Sequence, residues 1–436
     1  MFGKIMMRFW DSMVAPFTLS RKQVVQLTSV TIATAFNNLV GFVVNVVAAK
    51  KLGVEGFGVF SLAFSVATLA GAIGDFGFNL AMIRLFNKYQ ANPEKQTMIL
   101  GTALGLKGAL FALLAVTSLP LSSFLAWSLG VGSVNSNLFA IALITGGFLF
   151  IWTYLQAYLQ AYRSFKQLTG YILAYCGLRL ACLLVAYKFF PEDPLAWLAA
   201  TYTAPLFVLT LIGVAPSGRE AIAILFKHPD ASLGIFRELL NYSKWVAISA
   251  IAYTAMPYLV RFILAVRGSV EEVGIFSAGM TFTVAFSTLN TAIRAVLFPQ
   301  VTAFREQQIR RYSARLSRVA PYYVAFAIVG ITALGLLQWS LLGKEYREAL
   351  PVFLVTSGAL ATVIFLGLAT MLVHTLMKPH VDAYTNIFRL MATALFCLLI
   401  SPLNALGAAA VYGVVLVIGE LGMLLYLRRI GRETVL

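Results

Sequence analysis

The feature that limits this chain most is a succession of long apolar runs. Twelve stretches of about 20 or more mostly uncharged residues follow one another, at roughly 24–49, 57–83, 97–119, 137–161, 167–187, 195–214, 242–265, 273–300, 319–341, 350–376, 382–402 and 405–427. A helix needs about 20 such residues to cross the hydrocarbon of a bilayer. Composition points the same way, with 60% of residues hydrophobic and 11% charged, where a soluble domain carries about 25% charge. A soluble fold of this composition would leave a large apolar surface wet, which excludes an ordinary soluble enzyme, a secreted disulfide scaffold and a disordered chain. Cys176, Cys182 and Cys397 sit inside apolar runs and read as small core residues, with no disulfide or metal pattern.

The net charge is +16, from 33 Lys+Arg against 17 Asp+Glu. In a soluble protein that excess would suggest nucleic acid. Here its placement decides. Twelve spans sort the connections onto two sides. The termini and the even-numbered connections hold 22 cations, while the other side holds six: Lys50, Lys51, Lys188, Arg267, Lys344 and Arg347. Such asymmetry places both termini in the cytoplasm. Most of the basicity is thus topological and suited to anionic lipid headgroups, not to nucleic acid. The expected architecture is an all-α polytopic protein of the plasma (inner) membrane with twelve transmembrane helices. Its expected parts are a cytoplasmic amphipathic segment (1–23), a first six-helix lobe (24–214), a cytoplasmic linker (215–241), a second six-helix lobe (242–427) and a basic cytoplasmic tail (428–436).

An internal repeat supports the two lobes. The chain reads Val54-Glu55-Gly56-Phe57-Gly58-Val59-Phe60-Ser61 after the first run and Val270-Glu271-Glu272-Val273-Gly274-Ile275-Phe276-Ser277 after the seventh, an offset of 216 that is close to half the chain. Six spans per unit give both halves the same orientation. The pseudo-two-fold axis then runs along the membrane normal, one of the repeat arrangements of secondary transporters.

Seven charges fall inside spans: Lys107, Arg179, Arg261, Arg294 and Arg389, with Asp75 and Glu420. Ionisable groups at that depth are costly and mark function or local pairing. Residues at equal depth on an antiparallel hairpin have numbers that sum to twice the centre of the turn. The last hairpin turns near 403–404, which matches Arg389 with Glu420 as a structural ion pair. The second and third spans turn near 90, which matches Asp75 with Lys107. Arg179, Arg261 and Arg294 then lack a carboxylate. Arg294 shares a helical face with Asn290, and the repeat offset maps Asp75 onto Thr291 at equal depth in the second half, so Asp75 is a gating or coupling candidate that pairs with Arg294 in one state and Lys107 in another. A basic intramembrane cavity suits an anionic ligand, and guanidinium binds phosphate through a bidentate fork. Asn37, Asn38 and Asn45 on the first span serve either sugar hydroxyls or interhelical hydrogen bonds. The aromatic face of Trp152, Tyr154, Tyr158, Tyr162 and Tyr171 reads either as an interface belt or as a sugar-stacking surface. Of three histidines only His374 lies in a span, and no HExxH, Walker loop or CxxC occurs. No catalytic residue, cofactor or metal is expected.

Several motifs in order carry a family resemblance. Leu52-Gly53-Val54-Glu55-Gly56-Phe57-Gly58 at the first turn, Gly74-Asp75-Phe76-Gly77-Phe78 with Arg84 at the end of the second span, Glu272-Val273-Gly274-Ile275-Phe276-Ser277 followed by Leu297-Phe298-Pro299, Leu342-Gly343-Lys344-Glu345-Tyr346, and Pro402 with Leu406-Gly407-Ala408-Ala409 resemble the polysaccharide/oligosaccharide-lipid flippases of the multidrug/oligosaccharidyl-lipid/polysaccharide exporter superfamily. The likeness covers almost the whole chain. One departure is Val260, where family members often carry an acid before the arginine kept here as Arg261. The resemblance implies alternating access and an oligosaccharide on polyprenyl pyrophosphate as cargo. Arg294, Lys107 and Arg179 would bind the pyrophosphate, Arg84 would capture it at the cytoplasmic rim, and Arg261 would serve the outward state. Implied partners are a polysaccharide polymerase and glycosyltransferases. The other reading is a cation-coupled exporter of drugs or small amphiphiles with the same architecture; a net +3 inside the spans disfavours cationic cargo.

Overall fold

The computed structural model describes residues 21–132, 136–214, 229–301, 306–371 and 379–433. The expected amphipathic segment, most of the linker before 229, and His374 lie outside them. Among the described residues there is no strand. The long helices are α1 (Arg21–Asp75), α2 (Phe78–Lys88), α3 (Pro93–Ser128), α4 (Ser136–Ala161), α5 (Phe165–Phe189), α6 (starting with Pro194–Leu198), α7 (Pro229–Arg267), α8 (Val270–Val301), α9 (Glu306–Leu342), α10 (Ala349–Thr370), α11 (Pro379–Leu399) and α12 (Ala405–Glu433).

Ten helical segments among the described residues are long and apolar enough to cross a membrane. The sequence pattern gives twelve, and the difference has two physical sources. Helix α1 runs for 55 residues, which would be about 80 Å if straight, far more than the ~30 Å of hydrocarbon. It breaks at Gly53 (φ 69°, ψ −178°) into arms 21–52 and 54–75. That conformation suits glycine alone. Helix α11 is not among the ten, because His380, Asp382, Asn386 and Arg389 make it more polar than its neighbours.

The expected span 57–83 is also interrupted. Arm 54–75 ends at Asp75, Phe76 and Gly77 take positive φ of 41° and 68°, and α2 restarts at Phe78. Gly74 lies against the Phe150 ring, where an added Cβ would come within 2.2 Å, and Gly77 faces Ala247 and Ser243 of α7. The Gly-Asp-Phe-Gly motif is thus the place where the chain bends to meet both α4 and α7. Helix α3 starts cleanly because the Asn92 side chain accepts from the Lys95 N–H at 3.0 Å and Pro93 occupies the first turn. It runs nine residues past the expected end at 119. Helix α6 contains a π-helical turn at Ala199–Thr203 before continuing to 214. Helix α7 begins at Pro229, so residues 229–241 of the expected connection are helical.

Helix α1 packs on α4 and α5 and also on α8, α7 on α11, and α10 on both α8 and α12. One buried cluster runs through both halves of the chain, from Phe57 and Phe60 to Phe276, Phe353 and Leu416. The halves meet most closely where the repeat motifs cross. A Cβ on Gly58 would lie 2.1 Å from the Val270 carbonyl oxygen, and one on Gly274 would lie 2.1 Å from the Val54 carbonyl oxygen. Residues 54 and 58 become 270 and 274 on adding 216. The contact therefore reads the same from either half, as an isologous interface does. Beside it, the Tyr346 hydroxyl donates to the Ala49 carbonyl at 2.8 Å and its ring stands edge-on to Phe57.

Candidate functional site

Two ion pairs are buried within the helices. Lys107 Nζ on α3 lies 2.7 Å from Asp75 Oδ1 and donates to the Phe150 carbonyl at 3.1 Å. The lysine side chain is fully buried while that of Asp75 is 27% exposed. Arg389 Nη2 on α11 lies 3.2 Å from Glu420 Oε1 on α12, with side chains only 2% and 3% exposed. This second pair belongs to a chain of contacts over four helices. Arg389 donates to Asn386 and to the Leu416 carbonyl, Thr370 donates to Glu420, and Asn386 donates to Ser249, whose hydroxyl donates to Asp382. Gly419 is required beside it, because a Cβ there would lie 2.0 Å from Arg389 Nε.

Arg179 and Arg261 are different. Among the described residues neither has a carboxylate within ion-pair distance. Arg179 on α5 is 3% exposed. It donates through Nε to the Thr201 carbonyl at 3.2 Å, inside the π-helical turn of α6. Its guanidinium lies 4.4 Å from the Tyr202 ring centroid and 5.3 Å from that of Tyr175. Its Nη2 is buried and unpartnered. Arg261 on α7 donates through Nη1 to Ser65 Oγ at 3.1 Å, across the two halves, and lies 5.2 Å from the Tyr258 ring centroid. Its Nε is buried and unpartnered. The Tyr202 ring packs 4.6 Å from that of Phe64, the neighbour in sequence of Ser65. Arg179 and Arg261, from opposite halves, thus each keep donor capacity, with no carboxylate in ion-pair distance among the described residues. Buried donors of this kind attract an anion that can accept several hydrogen bonds at once.

The other sequence candidates are dispersed. Arg84, at the far end of α2, stacks 4.4 Å from the Tyr242 ring centroid and donates to its hydroxyl. One turn on, Lys88 pairs with Glu238 at 2.7 Å. Together these hold α2 to α7, at the opposite end of the 54–88 segment from the Gly58–Gly274 crossing. Asn38 donates to Thr288 on α8 at 3.0 Å and Asn45 to the Gly41 carbonyl of its own helix. Asn37 faces Cys176. Arg294 lies on α8, and its side chain is outside the described residues. Of the aromatic face, Trp152 and Tyr154 are buried, Tyr158 and Tyr171 are half-buried and Tyr162 is exposed. Trp152 stacks on Tyr171, and the hydroxyls of Tyr154 and Tyr171 donate to the carbonyls of Leu100 and Leu209. Sequence reading missed Tyr202, Ser65 and the Ser249–Asp382 contact. Asp382, Asn386 and Arg389 follow one another at intervals of four and three, the spacing of one helical face, and that pattern was available as a signal. No group of three or more potential metal ligands occurs among the described residues.

The fold has known counterparts. The structure resembles the lipid II flippase MurJ in an inward closed conformation, with a TM-score of 0.73 at 12% identity over 92% of this chain and 87% of that one. It also resembles an inward-facing multidrug-resistance transporter of the MATE family in the MOP superfamily, with a TM-score of 0.64 at 14% identity over 93% and 97% of the two chains. The fold is therefore that of this class of multi-pass membrane transporters. Within the class, the profile of a family described as "Polysaccharide biosynthesis protein" matches residues 24–304, and the chain belongs to that family. A putative O-antigen transporter of Shigella flexneri is 24% identical over 311 residues, covering 69% of this chain and 72% of that protein.

Proposed function

We propose that this protein moves an oligosaccharide carried on polyprenyl pyrophosphate from the cytoplasmic to the outer leaflet of the plasma membrane, for cell-surface polysaccharide synthesis. The observation that carries the reading is the pair of arginines, buried Arg179 and half-buried Arg261, contributed by opposite halves and without a carboxylate in ion-pair distance among the described residues. A pyrophosphate offers several acceptor oxygens to their forks. The two six-helix lobes, related by an axis along the membrane normal, would rock against each other, exposing this site to one side and then the other. Both termini would be cytoplasmic, Arg84 would meet the headgroup once it leaves Tyr242, and Lys107 and Arg294 would help guide it. Polymerase and glycosyltransferases would act on either side of the transport step. The family membership and the likeness to a putative O-antigen transporter support this direction. A cation-coupled drug exporter gains less support, because Asp75 and Glu420 are already neutralised by Lys107 and Arg389.

The test is reconstitution into vesicles with a lipid-linked oligosaccharide and measurement of its exposure on the far leaflet. The wild type is expected to raise exposure above empty vesicles, and Arg261→Gln to reduce it at least about tenfold, equivalent to ~1.4 kcal/mol, with an unchanged melting profile. Translocation at the wild-type rate in Arg261→Gln would overturn the assignment of this arginine. No translocation by the wild type, with drug efflux intact, would overturn the function.

A further inference from the structure

Arg179 is anchored everywhere except along one edge. Tyr202 and Tyr175 lie against its guanidinium, and its Nε donates to the Thr201 carbonyl. The two terminal nitrogens form the remaining edge, and that edge faces α1 at Gly41. A Cβ placed on Gly41 would lie 3.6 Å from Arg179 Nη1 and 3.8 Å from Nη2, and among the described residues it would meet no other atom of a neighbouring helix within 4 Å. A buried fork of donors, with Nη2 unpartnered, thus opens onto a position that carries no side chain. Neither backbone nor packing calls for glycine there. Gly41 is not among the glycines with positive φ. Where helices of this protein do press on a glycine, as at Gly58, Gly74 and Gly419, a Cβ would come within 2.2 Å of a neighbour. At Gly41 the separation is an ordinary contact distance, although glycine holds a helix less well than alanine. Asn37 and Asn45 stand one turn to either side on the same face. The Asn45 amide donates to the Gly41 carbonyl at 3.0 Å, and the Asn37 carbonyl oxygen faces Cys176 Sγ at 3.8 Å.

We propose that Gly41 and Arg179 form a seat for one phosphate group of the cargo's head, in which Gly41 is the positioning residue that keeps the guanidinium fork open. The inference rests on the proposed function for the source of the phosphate. The occupant is argued from the fork. A buried guanidinium with an unused Nη2, and no carboxylate in ion-pair distance among the described residues, calls for an anion with two acceptor oxygens on one centre, which phosphate presents to both terminal nitrogens at once. A neutral sugar hydroxyl would satisfy one nitrogen and leave the charge unpaired. A carboxylate would spend both oxygens on the fork, whereas a phosphate keeps others for the Asn37 amide one turn away. The Thr201 carbonyl and the two tyrosines already hold the arginine, so little ordering remains to be done when the anion arrives.

The experiment measures binding of farnesyl pyrophosphate to the full chain by native mass spectrometry, with inorganic pyrophosphate and acetate as competitors. Gly41→Ala is the decisive variant, because its methyl group fits at contact distance and covers the fork. Its affinity is expected to fall at least about tenfold, with a melting temperature unchanged or raised. Gly330→Ala on α9, another position with no neighbour within 4 Å of the added Cβ, should leave affinity unchanged. Arg179→Lys keeps the charge and loses the fork, so it should weaken binding by a similar factor. Combining it with Gly41→Ala should cost less than the product of the two separate losses, since both act on one contact. Wild-type affinity in Gly41→Ala or in Arg179→Lys overturns the inference, as do equal weakening by Gly330→Ala and fully multiplicative losses in the double variant. Displacement by acetate as effective as by pyrophosphate overturns the phosphate assignment. Binding of neither pyrophosphate by the wild type overturns the seat. If inorganic pyrophosphate binds as tightly as the farnesyl ester and Gly41→Ala weakens both, the seat stands and the lipid-linked cargo of the proposed function loses its support.

Discussion

The two buried ion pairs look alike in sequence and differ in the structure. Each joins neighbouring helices of one antiparallel hairpin, and each consists of one cation and one carboxylate. Arg389–Glu420 is buried on both sides, with Asn386, Thr370 and the Leu416 carbonyl meeting the pair and Arg389 Nε alone left without a partner. Lys107–Asp75 is closed on the lysine side only. Its acid sits at the end of arm 54–75, beside a bend made by Phe76 and Gly77, and keeps 27% of its side chain exposed. A pair set in a network has one geometry. A pair whose acid reaches open space at a chain bend can change partners. The first is built to hold helices together, the second to respond to them.

Three perturbations test that contrast. The largest effect is expected at the closed pair. Arg389→Met strands Glu420 and should cost about 3–5 kcal/mol, read as a fall in melting temperature and membrane yield, whereas adding Glu420→Leu should restore most of the loss. At the open pair, Lys107→Met should cost less, about 1–3 kcal/mol, because Asp75 is already partly exposed. Its transport rate should nevertheless fall further than that of Arg389→Met when both are compared at matched folded amounts. Equal stability losses for the two lysine and arginine variants would break the comparison. The smallest effect is expected at the exposed pair between α2 and α7. Lys88→Glu should leave the melting temperature unchanged and shorten the lifetime of α2–α7 contact, read by spin labels placed on the two helices. The wild type at high salt, where the pair is screened, should show a shortening in the same direction.

Much of this was legible in the sequence, for identifiable reasons. A helix rises by a constant amount per residue, so depth can be counted, and counting set Asp75 level with Lys107 and Arg389 level with Glu420. Repeat spacing is equally a matter of counting, and it brought Gly58 and Gly274 to attention before their crossing was visible. Rotation about a helix axis is harder to count across a distorted turn. The π-helical segment at Ala199–Thr203 turns Tyr202 toward Arg179, and nothing in hydropathy announces such a turn. The bend after Asp75 was missed for a related reason. Gly74 and Gly77 do not lower the apolar character of the run, and only the bulk of Phe150 and the approach of α7 show why glycine is needed there.

The two ends of the junction between the halves are fastened by different means. At one end, backbone meets backbone through Gly58 and Gly274, with no charge involved. At the other, a lysine–glutamate pair and an arginine on a tyrosine face are exposed to solvent. Dissolved ions weaken the second fastening and do not touch the first. The molecule is therefore a device with one electrolyte-sensitive end and one electrolyte-blind end. Ionic strength on the Lys88 side alone would set how readily the halves part there, while the opposite end would yield only to mechanical displacement of the helices themselves.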